Sequence, residues 1–251
     1  MTTPAWSEER VAIVTGAGSG IGLAIAERLA VEGALVAVWD LNGESATTVA
    51  AGIEAAGGRA IGMTVDVSDR AGIDAGMQHV RESLGSPLIL VNNAGIAPFQ
   101  AFLKIDSDSF DKVIAVNLKG TFDCCQAVVP HMLEAGWGRI VNQSSVGAYM
   151  GRGTHYGCSK LALIGLTQGL ARELGPHCIT VNAIAPGAVH TDATMKVVSE
   201  SMLEEMRSRA PIPIRAEPSE LVGTLRYLVG DGAAWVTGQT IVVDGGAVPR
   251  L

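Results

Sequence analysis

The chain has 251 residues, 31 of them glycine, with 4% aromatics and a formal net charge of −7 at pH 7. That length suits a single domain, residues 1–251, with a large core, and 48% hydrophobic residues exclude wholesale disorder. The acidic balance, without any run of lysines and arginines, excludes a nucleic-acid footprint.

In chain order, residues 1–10 are polar and lack the apolar stretch of a secretory signal. Short β-branched runs then alternate with longer amphipathic stretches. Val11–Thr15 is a predicted strand and Ile21–Val31 a helix, followed by Ala34–Trp39 as strand and Glu44–Ala56 as helix. Ala60–Val65, Arg70–Leu84 and Leu88–Asn92 continue the alternation, and Arg139–Asn142, Tyr156–Leu174, Ile179–Ala183 and Thr240–Val243 complete it. The strands are apolar on both faces, as in a parallel sheet covered by helices on each side. Repeated βα units predict an α/β fold, a Rossmann-type doubly wound parallel sheet with right-handed crossovers. No stretch is long and apolar enough to cross a bilayer. The four cysteines form no C-x-x-C pair, so a reduced, cytoplasmic protein is expected. The helix Tyr156–Leu174 is apolar nearly all round. Its second stripe needs cover from a partner subunit or from a later segment of the chain.

The glycine cluster Thr15-Gly16-Ala17-Gly18-Ser19-Gly20-Ile21-Gly22 lies between the first strand and the first helix. Glycine there permits a tight turn and close approach to a pyrophosphate, and the helix N-terminus offers free N–H donors. Asp40 closes the second strand, roughly 20 residues further on, where a carboxylate accepts hydrogen bonds from ribose hydroxyls. It would repel a 2′-phosphate, and no Arg or Lys follows to reverse that, so NAD is the expected cofactor.

Three further segments carry a family resemblance: Asn92-Asn93-Ala94-Gly95, Ser144-Ser145 and Tyr156-Gly157-Cys158-Ser159-Lys160. With the glycine loop they resemble the short-chain dehydrogenase/reductase family, from about Val11 to Val243-Asp244-Gly245-Gly246. The resemblance implies that Tyr156 is the catalytic acid/base, Lys160 its partner, Ser145 or Ser144 the serine that holds the substrate oxygen, and Asn117 the fourth member. Tyr156 and Lys160 are four apart and share a helix face. An ammonium beside the phenol is expected to lower its pKa from about 10 toward neutrality, as carbonyl–alcohol interconversion requires. The resemblance also places cofactor contacts at Gly16, Ser19, Gly20 and Ile21, at Asp40 and Leu41, and at Asp66 and Val67. Further contacts are implied at Asn93, Ala94 and Gly95, at Tyr156 and Lys160, and at Pro186, Gly187, Val189 and Thr191. It implies a homotetramer as well.

The expected reaction is NAD-dependent interconversion of a secondary alcohol and a ketone. The alternatives are a 3-oxoacyl reductase or 3-hydroxyacyl dehydrogenase, a cyclic cis-diol dehydrogenase, and a NAD-binding regulator without chemistry. Residues 190–213 correspond to the family's mobile substrate lid, with Met195, Val197, Val198, Met202 and Met206 as apolar cover. Val146, Tyr149, Met150, His190 and Met195 are the candidate substrate contacts. A mostly apolar substrate is expected, because no arginine is clearly placed beside the catalytic set, Arg152 excepted. The five histidines show no metal-ligand spacing, and no metal is expected. Cys158 is read as a small packed hydrophobe.

Overall fold

The computed structural model describes Trp6, residues 9–151 and residues 153–248; most of the polar N-terminal segment and Arg152 lie outside the described residues. Seven strands form one parallel sheet: β1 (Val11–Thr15), β2 (Leu35–Asp40), β3 (Arg59–Thr64), β4 (Pro87–Asn92), β5 (Gly138–Gln143), β6 (Ile179–Pro186) and β7 (Thr240–Val243). Their spatial order is β3-β2-β1-β4-β5-β6-β7, every neighbouring pair being parallel. The chain builds outward from β1 to β3, then returns to the other side of β1 with β4. That reversal is the switch point at which open α/β sheets leave a crevice beyond the strand C-termini.

Helices cover both faces. On one face lie α1 (Gly20–Val31), α2 (Gly43–Ala55) and α10 (Ser219–Val229). Ile25 and Leu29, Val49 and Ile53, and Leu225 and Leu228 bring them onto Ala12, Val14, Val36 and Val38. On the other lie α3 (Arg70–Ser83), α5 (Gly120–Ala135) and α7 (Thr154–Leu174). Ile73, Met77, Cys124, Val128 and Leu174 meet Ile13, Trp39 and Leu90 there. Adjacent strand residues such as Ile13 and Val14 thus enter opposite cores, which is why the strands read as unbroken apolar runs. Helix starts are marked by local side chains: Asn42 accepts from Ser45 N–H, Asp69 from Ala71 N–H and Asp106 from Ser109 N–H.

Two departures from the sequence reading matter. β6 runs to Pro186 rather than Ala183, because β7 pairs with it as far as Pro186–Val243. The segment after β4 holds α4 (Ser107–Ile114), a single π-helical turn Ala115–Lys119, and then α5. The sequence reading named no element between residues 93 and 138; the π turn there shifts the helical face, and α5 carries Pro130 inside it.

The remaining helices are short. They are α6 (Gly147–Met150), between β5 and α7, and α8 (Asp192–Met195) and α9 (Glu200–Ser208), within residues 190–213. Helix α7 buries Leu163, Thr167 and Ala171 toward the sheet and leaves Leu161 52% exposed. Ile164, Leu166 and Leu170 on its other sides are half-buried. No helix among the described residues is long and apolar enough to cross a membrane.

Candidate active site

The site forms at the C-terminal edge of the sheet. At the switch point, the loops after β1 and β4 touch. A Cβ on Gly16, whose φ is +61°, would stand 2.8 Å from Ala94 Cα, so only glycine allows the approach. Asn93 ties the two loops together: its Nδ2 donates to Thr15 O at 2.9 Å and to Gly16 O at 2.8 Å. Thr15 Oγ1 accepts from the N–H groups of Asn93 and Ala94.

Between these loops lies a cleft of about 800 Å³. Gly16, Ser19, Gly20, Ile21, Asp40, Leu41, Asp66, Val67, Asn93, Ala94, Gly95 and Thr191 all line it. The start of α1 opens on it without a side-chain cap from Ser19, leaving helix N-terminal N–H donors for an anion. At the far end, Asp40 Oδ2 accepts from Gly18 N–H at 2.8 Å and Oδ1 from Asn42 N–H at 2.9 Å. A side chain on Gly18 would strike the Asp40 carboxylate at 2.9 Å. The residues present therefore fit a dinucleotide: close backbone, uncapped helix donors and an oriented carboxylate. Pro186, Gly187 and Val189 stand apart from this cleft. Gly187 and Val189 line a second, smaller cavity, and Pro186 O accepts from Val146 N–H.

Helix α7 brings the reactive side chains in. Lys160 is buried and donates from Nζ to Gln143 O at 2.7 Å. Burial alone pushes its pKa from 10.5 down to about 8. Its Nζ lies 5.8 Å from the centre of the Tyr156 ring. The two serines have different duties. Ser144 is buried and donates to Lys160 O at 2.8 Å, fastening the helix to the end of β5. Ser145 hydrogen-bonds to the Tyr156 phenol and accepts from Gly147 N–H at 3.0 Å. Asn117 sits in the π turn, fully buried. Its Oδ1 accepts from Ile96 N–H at 2.8 Å, and its Nδ2 donates to Ile96 O at 2.9 Å and to Ser159 Oγ at 3.0 Å. A Cβ on Gly95 would meet both Asn117 Oδ1 and Lys160 Nζ at 3.3 Å, so these two groups flank the same spot.

One electrostatic expectation is corrected. Burial pushes the Tyr156 phenol above its ordinary value, and the Ser145 hydrogen bond pulls it back only partly. Lys160 Nζ stands 5.8 Å from the ring centre and is itself disfavoured as an ammonium by burial.

The smaller cavity, about 320 Å³, meets the cleft at His190, which lines both. Of the candidate substrate residues, Val146, Met150 and His190 line it; Tyr149 and Met195 line neither cavity. From the lid, Leu203 and Met206 face it, whereas Val197 and Met202 are left exposed. The sequence reading missed Phe99, whose ring stands 5.9 Å from that of Tyr156, because nothing in its neighbourhood marks it. It also missed Arg207, Arg209 and Arg215 on the cavity wall.

Fold and site together define a dinucleotide-binding oxidoreductase. The sequence model described as enoyl-(acyl carrier protein) reductase matches residues 16–248. A 3-oxoacyl-(acyl-carrier-protein) reductase of Pseudomonas aeruginosa is 38% identical over 239 residues, covering 94% of this chain and 96% of the relative. A D-threitol dehydrogenase of Mycolicibacterium smegmatis is likewise 38% identical over 239 residues, covering 94% and 92%. The crystal structure of a gluconate 5-dehydrogenase from Burkholderia cenocepacia, in complex with NADP and tartrate, superposes with a TM-score of 0.93 at 32% identity, covering 99% of each chain. The chain belongs to the short-chain dehydrogenase/reductase family.

The buried lysine yields a pH prediction. Below pH 8 the folded protein holds an ammonium that the unfolded chain would solvate. Between about pH 8 and 10.5 the native state has released the proton while the unfolded chain still binds it. The penalty therefore lifts as pH rises through that window. Denaturant melts should show wild type gaining stability relative to Lys160→Met from pH 8 to pH 10. A constant difference would contradict the burial of a titrating Lys160.

Proposed function

We propose that the protein is a NAD-dependent dehydrogenase/reductase that interconverts a secondary alcohol and a ketone. The observation that carries this reading is the convergence of Ser145 on the Tyr156 phenol, with buried Lys160 on the same helix face, beside a cleft shaped for a dinucleotide. A nicotinamide dinucleotide held there supplies the two-electron acceptor or donor for the carbinol hydride. The glycine loop and the start of α1 would hold its phosphates, Asp40 its adenosine ribose, and Lys160 its nicotinamide ribose. In oxidation, the Tyr156 phenolate takes the hydroxyl proton; in reduction, the phenol returns it to the carbonyl oxygen. The Ser145 hydroxyl donates to that oxygen and stabilises the charge that gathers on it. Lys160, titrating near pH 8, holds the positive charge that favours the phenolate as substrate and cofactor close the site.

NAD rather than NADP follows from Asp40, whose two oxygens are already aimed by Gly18 and Asn42 N–H at the end of β2. The NADP in the Burkholderia structure makes this a discriminating point. A second reading, reduction of a 3-oxoacyl thioester, is supported by the Pseudomonas relative and by the description of the matching family model. For assembly we propose a homotetramer, supported by apolar side chains left outward on α7 and α5, Leu161, Phe122 and Leu133 among them.

Tyr156→Phe removes the proton carrier while keeping the ring. Its kcat should fall at least about 100-fold at unchanged folding, judged by steady-state kinetics and circular dichroism; near-normal turnover would refute the assignment. With one good substrate, kcat/KM should favour NAD over NADP by at least about tenfold, through repulsion between Asp40 and the 2′-phosphate. The reverse preference would overturn the reading of Asp40. Light scattering should return four times the chain mass of 25.9 kDa, and a monomer mass would refute the tetramer.

A further inference from the structure

Beyond α9, residues 210–216 form a strap with proline at positions 211 and 213, which fixes the backbone φ at both. The strap is pinned at two places. Ile212 N–H donates to Gly245 O at 3.0 Å, and Ala216 O accepts from His190 N–H at 2.8 Å. The first pin depends on glycine. Gly245 has φ +68°, and a Cβ there would stand 2.9 Å from Ile212 O. Gly246 has φ +83°, and a Cβ there would stand 3.0 Å from Pro211 Cγ. The turn is itself rigid, since Asp244 Oδ1 accepts from Gly246 N–H at 2.8 Å and Oδ2 from Val248 N–H at 2.9 Å. It is also seated on the loop after β6: Gly187 N–H donates to Val243 O at 3.0 Å, and a Cβ on Gly187 would strike Asp244 Cβ at 2.7 Å. The strap thus has a fixed position relative to the sheet edge that carries the reactive residues.

Between the pins the strap offers Ile212 and Ile214 to the 320 Å³ cavity, and the two side chains are 58% and 52% exposed. Val146, Val189, Leu203 and Met206 face them across it. The arginines on the same wall have carboxylate partners: Arg207 pairs with Glu204 at 2.5 Å, Arg209 with Glu205 at 2.5 Å and Arg215 with Glu217 at 3.0 Å. Each arginine has a carboxylate partner at the surface, and most of the rest of the wall is apolar. Two of its lining residues link the cavity to the reactive site. Val146 directly follows Ser145, and His190 is shared with the cofactor cleft.

We propose that the pinned strap is the specificity-determining wall of the site. It holds Ile212 and Ile214 against the substrate and so selects an alcohol or ketone whose non-reacting part is an apolar chain or ring, not a polyol. This rests on the alcohol–ketone reading of the site. It separates this chain in specificity from its relative named as acting on D-threitol.

The experiment measures kcat/KM for 2-butanone through 2-octanone and for the hydroxylated ketone erythrulose, with NADH and with NADPH. Each added methylene should raise kcat/KM about threefold until the cavity is full, and erythrulose should be at least about tenfold poorer than 2-octanone. Ile214→Ser, at an exposed position that does not threaten folding, should flatten the chain-length series through KM and leave the pH profile of kcat unchanged. Gly245→Ala should flatten it in the same way by displacing the strap. Erythrulose matching or beating 2-octanone overturns the proposal, as does an unaltered chain-length series in both variants. Absence of turnover by wild type on every ketone with both cofactors overturns the alcohol–ketone reading, and the strap proposal with it.

Discussion

The seating of α7 on the ends of β4 and β5 is the constraint on which the rest of the site depends. It is made by polar groups inside an otherwise apolar layer. Asn92 Nδ2 donates to Asn142 Oδ1 at 2.9 Å, Asn142 Nδ2 donates to Thr167 Oγ1 at 3.0 Å, and Thr167 Oγ1 donates to Leu163 O at 2.7 Å. Higher on the same helix, Ser144 holds Lys160 O and Gln143 O holds Lys160 Nζ. Each such bond contributes only about 1 kcal/mol net, but leaving a buried partner unmade costs about 1–3 kcal/mol. A shift of the helix along the strands would break several at once. The polar chain therefore specifies one register for α7, and that register places Tyr156 beside Ser145.

Rigidity at α7 also explains the electrical state of the site. A lysine on a mobile surface helix would keep its ammonium in water. Held down by Ser144 and surrounded by Gly95, Asn117 and Tyr156, Lys160 loses that hydration and titrates near pH 8. Tyr156 is pushed the opposite way by the same burial. In water a phenol and an amine hold protons almost equally, at 10.0 and 10.5; the two shifts draw them apart and leave the amine the weaker holder. The proton therefore rests on Tyr156, the form that donates to a carbonyl oxygen. The sequence reading expected the ammonium to act on the phenol directly. Here desolvation of both groups is the stronger effect.

How much of this was legible depended on whether the determinant was local. The strands were readable because their residues face apolar cores on both sides, as Ile13 and Val14 do. The glycine loop was readable because close approach of Gly16 to Ala94 admits no other residue, and Asp40 was readable by its distance from that loop. Ser144 and Ser145 were ambiguous as neighbours in sequence. Their division follows from which way each side chain leaves the strand end, and that is set by α7 in three dimensions. The π turn at Asn117 had no local signature, because its reason is tertiary: Asn117 must reach both strands of the Ile96 backbone's hydrogen bonding, N–H and C=O, as well as Ser159. Phe99 and the cavity arginines were invisible for the same cause.

The division between sheet edge and strap extends that contrast to function. Groups that handle the proton and the cofactor sit on β-strand ends and on α7, where registers are locked and a change of position would cost several buried hydrogen bonds. Many of the groups facing the smaller cavity sit on α9, on the strap and on the Asp244–Val248 turn, where the backbone is pinned but side chains such as Ile212 and Ile214 are more than half exposed. Two structures of this fold can therefore share one chemistry and differ in what they accept, because side chains on the strap change without disturbing α7. The glycines at 245 and 246 mark the limit of that freedom. They keep the strap in one place relative to Gly187, so that variation at Ile212 and Ile214 alters the shape of the wall and not its distance from the reacting atoms.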